Sequence, residues 1–289
     1  MGTGSGLPRA RLPPYSPHMR ARFLREVAAL GLPPGPASLP APAGTTPADA
    51  PVTEADLAPL PEPAQRYLRF MGIVGRPRDW SFRACLVGRF RRSATAGWLP
   101  CECWQYNTRL DLARIFHIRL RMAGVVPVLA RDTYLRGRGR MLVRPLDLFT
   151  AVDGQGPEYD VGELVTYLND AVLLAPSMVL GPEARWSPVD DRSFDVALTD
   201  RGTTVTARVF VDPSGAVTDF STTDRFYAPG DTPPVRTRWT TPVEGWQRSG
   251  ERMFPTHGQA VWQFDSGPLP YVEFAFRPED IAFNVPPGA

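Results

Sequence analysis

The chain has 289 residues, of which 43% are hydrophobic, enough to bury a full core in one or two domains, and we read a single folded domain. All 32 Lys+Arg residues are Arg, which excludes a Schiff-base lysine, a P-loop lysine and a lysine general base. A formal net charge of +2 with Arg spread along the chain argues for no nucleic-acid partner, and no apolar run reaches the ~20 residues of a membrane span.

Residues 1–58 are rich in Pro, Gly, Ala and Ser and read as a mostly disordered tail, in which 18–32 has the spacing of a short helix that docks on the domain or on a partner. The folded part, 59–289, opens with a helix near Leu60-Pro61-Glu62-Pro63, closed by Gly72. Alternation then takes over. Trp80, Phe82, Ala84, Leu86 and Phe90 share one strand face, and Phe116, Ile118, Leu120 and Met122 alternate with His117, Arg119 and Arg121 on a wet face. A strand-like run from Tyr134 to Val152 carries Arg136, Arg138, Arg140 and Arg144 on one face, read as the solvated outside of a sheet.

The polar patch Gly154 to Asp160 leads into the one strong helical period beyond residue 72. Asp160 and Glu163 have capping-box spacing, Val161, Leu164, Val165, Leu168, Ala171, Val172 and Ala175 form a buried face, and Pro176 ends the helix. After it, turn signals at Asp190-Asp191, Asp200-Arg201-Gly202 and Asp212-Pro213-Ser214-Gly215 separate short alternating runs, the mark of antiparallel hairpins. The expected fold is α+β and mainly β: a long, curved, half-barrel-like antiparallel sheet with a central helix, about 160–175, packed on one face.

The motifs Leu60-Pro61-Glu62-Pro63 with Arg66-Tyr67-Leu68-Arg69 and Val74-Gly75-Arg76-Pro77, then Gly156-Pro157-Glu158, Asp160, Gly162-Glu163-Leu164 and Tyr167-Leu168, then Arg185-Trp186 and Pro188-Val189-Asp190-Asp191, resemble an uncharacterised bacterial domain-of-unknown-function family over roughly 60–275. That resemblance implies a boundary and no mechanism. In architecture alone, strands followed by a helical insert and more strands are similar to the half-barrel of periplasmic lipoprotein carriers, which hold acyl chains between a curved sheet and helices. This chain shows no 7–15-residue apolar signal segment, and its odd number of cysteines suits a reducing compartment, so the expected location is cytoplasmic.

The chemistry the residues offer is weighed in three classes. The first is a non-enzymatic binding protein for a lipid or acyl chain, with Leu164, Leu168 and Val172 facing the ligand from the helix, Trp104, Phe116 and Leu120 from strands, and Arg138 and Arg140 meeting an acidic head group. The second is a hydrolase using Glu158, Asp160, Asp190 and Asp191 with His117 or His257, although no nucleophile elbow or other catalytic signature is present. The third is an interaction module acting through the tail helix. No cofactor and no metal site are expected: Cys85, Cys101 and Cys103 with His117 lack structural-zinc spacing.

Overall fold

The computed structural model describes residues 16–38, 49–122, 126–228 and 232–289. The first helix, α1 (Pro17–Ala28), is capped by Ser16 and has Pro at its first position, where the missing N–H costs nothing. Two further helices, α2 (Glu54–Leu57) and α3 (Glu62–Phe70), lead to Gly72 at φ +69°, where a Cβ would meet the carbonyl oxygen of Glu251, so only glycine fits this helix end.

Strands β1 (Ser81–Phe90), β2 (Leu99–Thr108), β3 (Ala113–Met122), β4 (Val126–Leu135), β5 (Arg138–Pro145) and β6 (Val152–Gln155) form an antiparallel meander. The run expected as one strand, Tyr134 to Val152, is a hairpin. Arg136 and Gly137 both adopt positive φ and make a two-residue turn whose twist matches the flanking strands. Helix α4 (Pro157–Leu174) follows, beginning three residues before the expected start because Pro157 occupies its first turn.

The chain then continues through β7 (Ala184–Asp190), β8 (Ser193–Asp200), β9 (Thr203–Val211) and β10 (Val217–Thr222). Shorter pieces are β11 (Phe226–Tyr227), β12 (Val235–Arg236), β13 (Arg238–Thr240), β14 (Val243–Glu244), β15 (Gln247–Ser249) and β16 (Arg252–Phe254). The chain closes with β17 (His257–Phe264), β18 (Gly267–Ala275) and β19 (Ile281–Phe283). The main sheet runs β6-β5-β4-β3-β2-β1-β18-β17-β13-β10-β9-β8-β7, so its last long strands in sequence lie at its centre. A sheet this long curls, because every neighbouring pair adds a right-handed increment of twist.

Helix α4 lies across the concave face, against β3, β4, β5, β6, β9 and β11. Its Leu164, Leu168, Ala171 and Val172 join Phe82, Ala84, Phe194, Val196, Val205 and Phe220 in the main core. A second core forms on the opposite, convex face. There Met19, Phe23 and Val27 of α1 pack on Cys85, Trp104, Tyr106, Ile115 and Leu129. The 18–32 segment thus folds onto its own chain, and the strand face expected to be wet is covered by it.

Candidate functional site

Register decides which side chains meet. Trp104 pairs with His117 and Cys85 across the strands, so all three point to the convex side, whereas Phe116, Ile118 and Leu120 point to the concave side with Cys101 and Cys103. Trp104 therefore does not share a surface with Phe116 and Leu120: its indole lies 6.1 Å from Phe23 and donates to Glu102. The same parity separates the cysteines, and among the described residues no cluster of three or more His, Cys, Asp or Glu is disposed to hold a metal ion. Burial pushes the Cys103 thiol well up.

His117 is not solvated. It sits under α1 with the Phe23 ring edge-on at 5.1 Å, and its Nε2 lies 3.5 Å from Glu26. Burial lowers its pKa to about 4, outweighing the opposing pull of Glu26, so the ring is neutral at ordinary pH. Glu26 in turn is held below the usual carboxylate range: burial raises it, but hydrogen bonds from Arg22 and Arg131 win. His257 lies at the start of β17, with Nδ1 3.1 Å from Thr256 and Glu244 as cross-strand neighbour.

The expected carboxylate patch is likewise dispersed. Asp160 is not a helix cap: its Oδ1 accepts from the Gly139 backbone N–H at 2.7 Å and its Oδ2 from Arg138 at 3.0 Å, riveting α4 to the β4–β5 hairpin. Asp190 accepts from the Arg192 N–H in the β7–β8 turn, and the Asp191 carbonyl receives Arg66 of α3. That turn is one end of β8, while Asp200 at the other end accepts from Tyr134, the cross-strand partner of Gly139. A strand of this length separates Asp190 from Asp160 by about 20 Å at ~3.3 Å per residue. Glu158 lies half-buried in the first turn of α4. Arg140 pairs with Asp153, Arg144 with Asp147 and Arg136 with Asp111, so the arginine face is ion-paired along its length.

What the fold does bring together, under α4, is a buried polar group that the sequence reading passed over. Arg114 donates through Nε to Asp170 at 2.6 Å and through Nη1 to Glu163 at 3.0 Å, and its guanidinium lies 4.8 Å over the Phe116 ring. Burial disfavours this cation, but Asp170 and Glu163 outweigh it and hold its pKa above the ordinary guanidinium value. Gln105 also donates to Asp170, and Thr166 to Glu163. Asp132, cross-strand from Phe116 and Met141, has a buried Oδ1 without a hydrogen-bond partner among the described residues. Burial, reinforced by Glu163, raises its pKa to about 7 against the pull of Arg114 and Arg225. The alternation that exposed the strands carries the signal for this group: Arg114 shares parity with Phe116, Ile118 and Leu120, and Asp132 with Val128 and Ala130. A charge on an apolar face needs a buried partner.

Beyond this group the concave face is aromatic. Tyr271 lies 6.2 Å from Phe90 and 6.0 Å from Trp262, Tyr227 lies 5.4 Å from Trp262 and 4.8 Å from Phe264, and Phe274 lies 6.3 Å from Phe116. Arg225 stacks 4.6 Å over Trp239 and donates to the Gly162 carbonyl of α4. Leu164, Leu168 and Val172, in contrast, have no exposed surface. They meet the sheet directly, with no water-sized space between.

The family model described as a family of unknown function, DUF6544, matches residues 50–274. The chain belongs to this family. No curated protein matches this DUF6544 chain. Among solved structures it is similar to a LolA superfamily protein from Nitrosomonas europaea, at 14% identity over 76% of this chain and 91% of that one, with a TM-score of 0.37. It is also similar to a putative outer membrane lipoprotein-sorting protein domain from Vibrio parahaemolyticus, at 9% identity over 78% and 93%, again with a TM-score of 0.37. By its own strand order the DUF6544 chain is a mainly β protein with one long curved antiparallel sheet and few helices.

Proposed function

We propose that this protein binds an apolar ligand, a lipid or acyl chain, along the part of its concave face that α4 leaves uncovered. One observation carries the reading. Phe90, Ala130, Val143, Tyr227, Phe264, Tyr271 and Phe274 are only half-buried, although they belong to the surface of the main core. An apolar face that is only partly covered is the ordinary lining of a ligand site. Phe116 and Leu120 border this lining. The helix residues Leu164, Leu168 and Val172 support it from behind, and Arg138 and Arg140 stay on the outer rim with their own carboxylates.

Native mass spectrometry of the purified protein, followed by solvent extraction, tests the reading. The expected result is a co-purifying acyl or lipid mass that Ala130→Trp removes, since the indole fills the lining between Ile118 and Val143, without lowering the melting temperature. A clean mass that stays clean after incubation with a lipid mixture overturns it.

A further inference from the structure

The end of the sheet at the β1–β2 and β5–β6 connections, where β3 ends at Met122 and β4 begins at Val126, carries most of the large exposed apolar side chains among the described residues. Met122, Leu146, Leu148, Phe149 and Val152 are all there, Leu148 at 75% and Phe149 at 56% exposure. These strand ends lie side by side because the strands alternate in direction: Met122 pairs with Val126, and the Leu146 N–H donates to the Pro127 carbonyl at the start of β4. A contiguous exposed apolar patch on a folded protein marks an interaction surface.

The loop that presents the patch is held rigidly. Leu146 and Asp147 both adopt positive φ, at 52° and 57°, a conformation that non-glycine residues keep only when the surroundings impose it. Asp147 supplies that constraint. Its carboxylate lies 2.5 Å from Arg22 of α1 and 3.5 Å from both Arg131 and Arg144. Leu148 and Phe149 are thereby fixed outward at the tip.

Charge selects the partner. Around the patch, Arg92 and Arg121 are exposed and without an ion pair among the described residues, and the half-exposed Trp98 is held between Arg89 and Arg91 at 4.6 and 4.5 Å. Residues 91–98 contain no Asp or Glu, and Asp147 between 144 and 152 is already matched by its three arginines. Leucine and phenylalanine at loop tips, a tryptophan at their level and unpaired arginines beside them are the chemistry of an interfacial anchor on anionic lipid. We infer that this rim docks the protein on an anionic lipid surface, independently of whether the concave face carries a ligand.

Co-sedimentation of the full chain with phosphatidylcholine vesicles, with and without an equal amount of phosphatidylglycerol, tests the inference. The protein should pellet with the mixed vesicles, and the doubly substituted Leu148→Asp/Phe149→Asp protein should remain in solution with an unchanged melting temperature, both sites being exposed. Arg92→Glu and Arg121→Glu should each weaken binding about fivefold or more, and added salt should weaken it further. Ala130→Trp should pellet like the wild type, which separates this surface from the ligand-binding reading. The inference is overturned if the wild type stays in solution with mixed vesicles, or if the double variant pellets equally well. A wild-type dimer that the double variant converts to monomer, with no vesicle binding by either, overturns it too and gives the patch to a second copy of the chain.

Discussion

Two titratable groups that face the packed sides of the sheet push the stability of this fold in opposite directions with pH. Asp132 has its folded pKa raised to about 7, so between its ordinary carboxylate value and 7 the native state keeps a proton that the unfolded chain has lost, and stability falls as pH rises through that window. His117, lowered to about 4, does the reverse: the unfolded chain takes up a proton below about 6.5, and stability falls as pH drops from there to 4. Asp132→Asn removes the first effect alone. Its stability relative to wild type should grow between pH 5 and pH 8 by on the order of 1–3 kcal/mol, measured by denaturant titration at each pH. An advantage that stays constant across that range would show that Asp132 titrates normally. At this scale the sequence misled through spacing. Asp160 and Glu163 stand three apart ahead of an apolar period and read as a capping box, yet their partners, Gly139 and Arg114, are 21 and 49 residues away in the chain. Nothing local encodes such a pairing, whereas the face parity of Arg114 and Asp132 does reveal that both point to the core side of the sheet.

Helices are the best-read elements, because a period of 3.6 closed by a proline survives without tertiary information. The existence of α4 and of a helix within 18–32 both follow from it, with ends off by one to four residues; the surface that α1 covers does not. Its target on β3 alternates His117, Arg119 and Arg121, which has the pattern of a solvated face, and only the neighbouring Cys85, Trp104, Tyr106, Ile115 and Leu129 make that region apolar enough to take a helix. Those residues come from four strands, so no single window shows the patch. The β4–β5 hairpin was also hidden, since arginine at the first turn position is not a turn former and the alternation continues through it. The central role of Phe23 is testable. Buried against Trp104 and His117, its replacement by Ala should cost about 3–5 kcal/mol if α1 stays docked and the cavity remains. If α1 undocks, the loss should be accompanied by a red shift of tryptophan emission as Trp104 meets water. Wild-type stability and emission in Phe23→Ala would mean that α1 contributes nothing to the folded core.

The whole molecule is completed by its end. Strands β1–β6 form one half of the sheet and β7–β10 with β13 the other, and what joins them is the β17–β18 hairpin, slotted between β1 and β13. The last residues then seal the convex side. Asn284 accepts from the Trp80 N–H, the Val285 carbonyl receives the Ser81 and Tyr106 hydroxyls, and Gly288 lies against Ala28 of α1 so closely that a Cβ there would collide. That strands would alternate and curl could be read from the sequence, but this strand order could not, because β1 pairs with residues about 185 positions downstream and alternation carries no information on such partners. The order has a physical consequence. Without β17 and β18, β1 presents a long open edge, the short β13 a second one, and the halves of the concave core lose their bridge. A chain ending at Thr256 should therefore fail to give a cooperative thermal transition and should aggregate, as followed by circular dichroism and light scattering. The intact chain, whose central pairing must wait for its C-terminus, should refold slowly relative to helical proteins of its size. A truncated chain that melts cooperatively at the wild-type temperature would show instead that the two halves are independently stable, and that the late strands only decorate a sheet already formed.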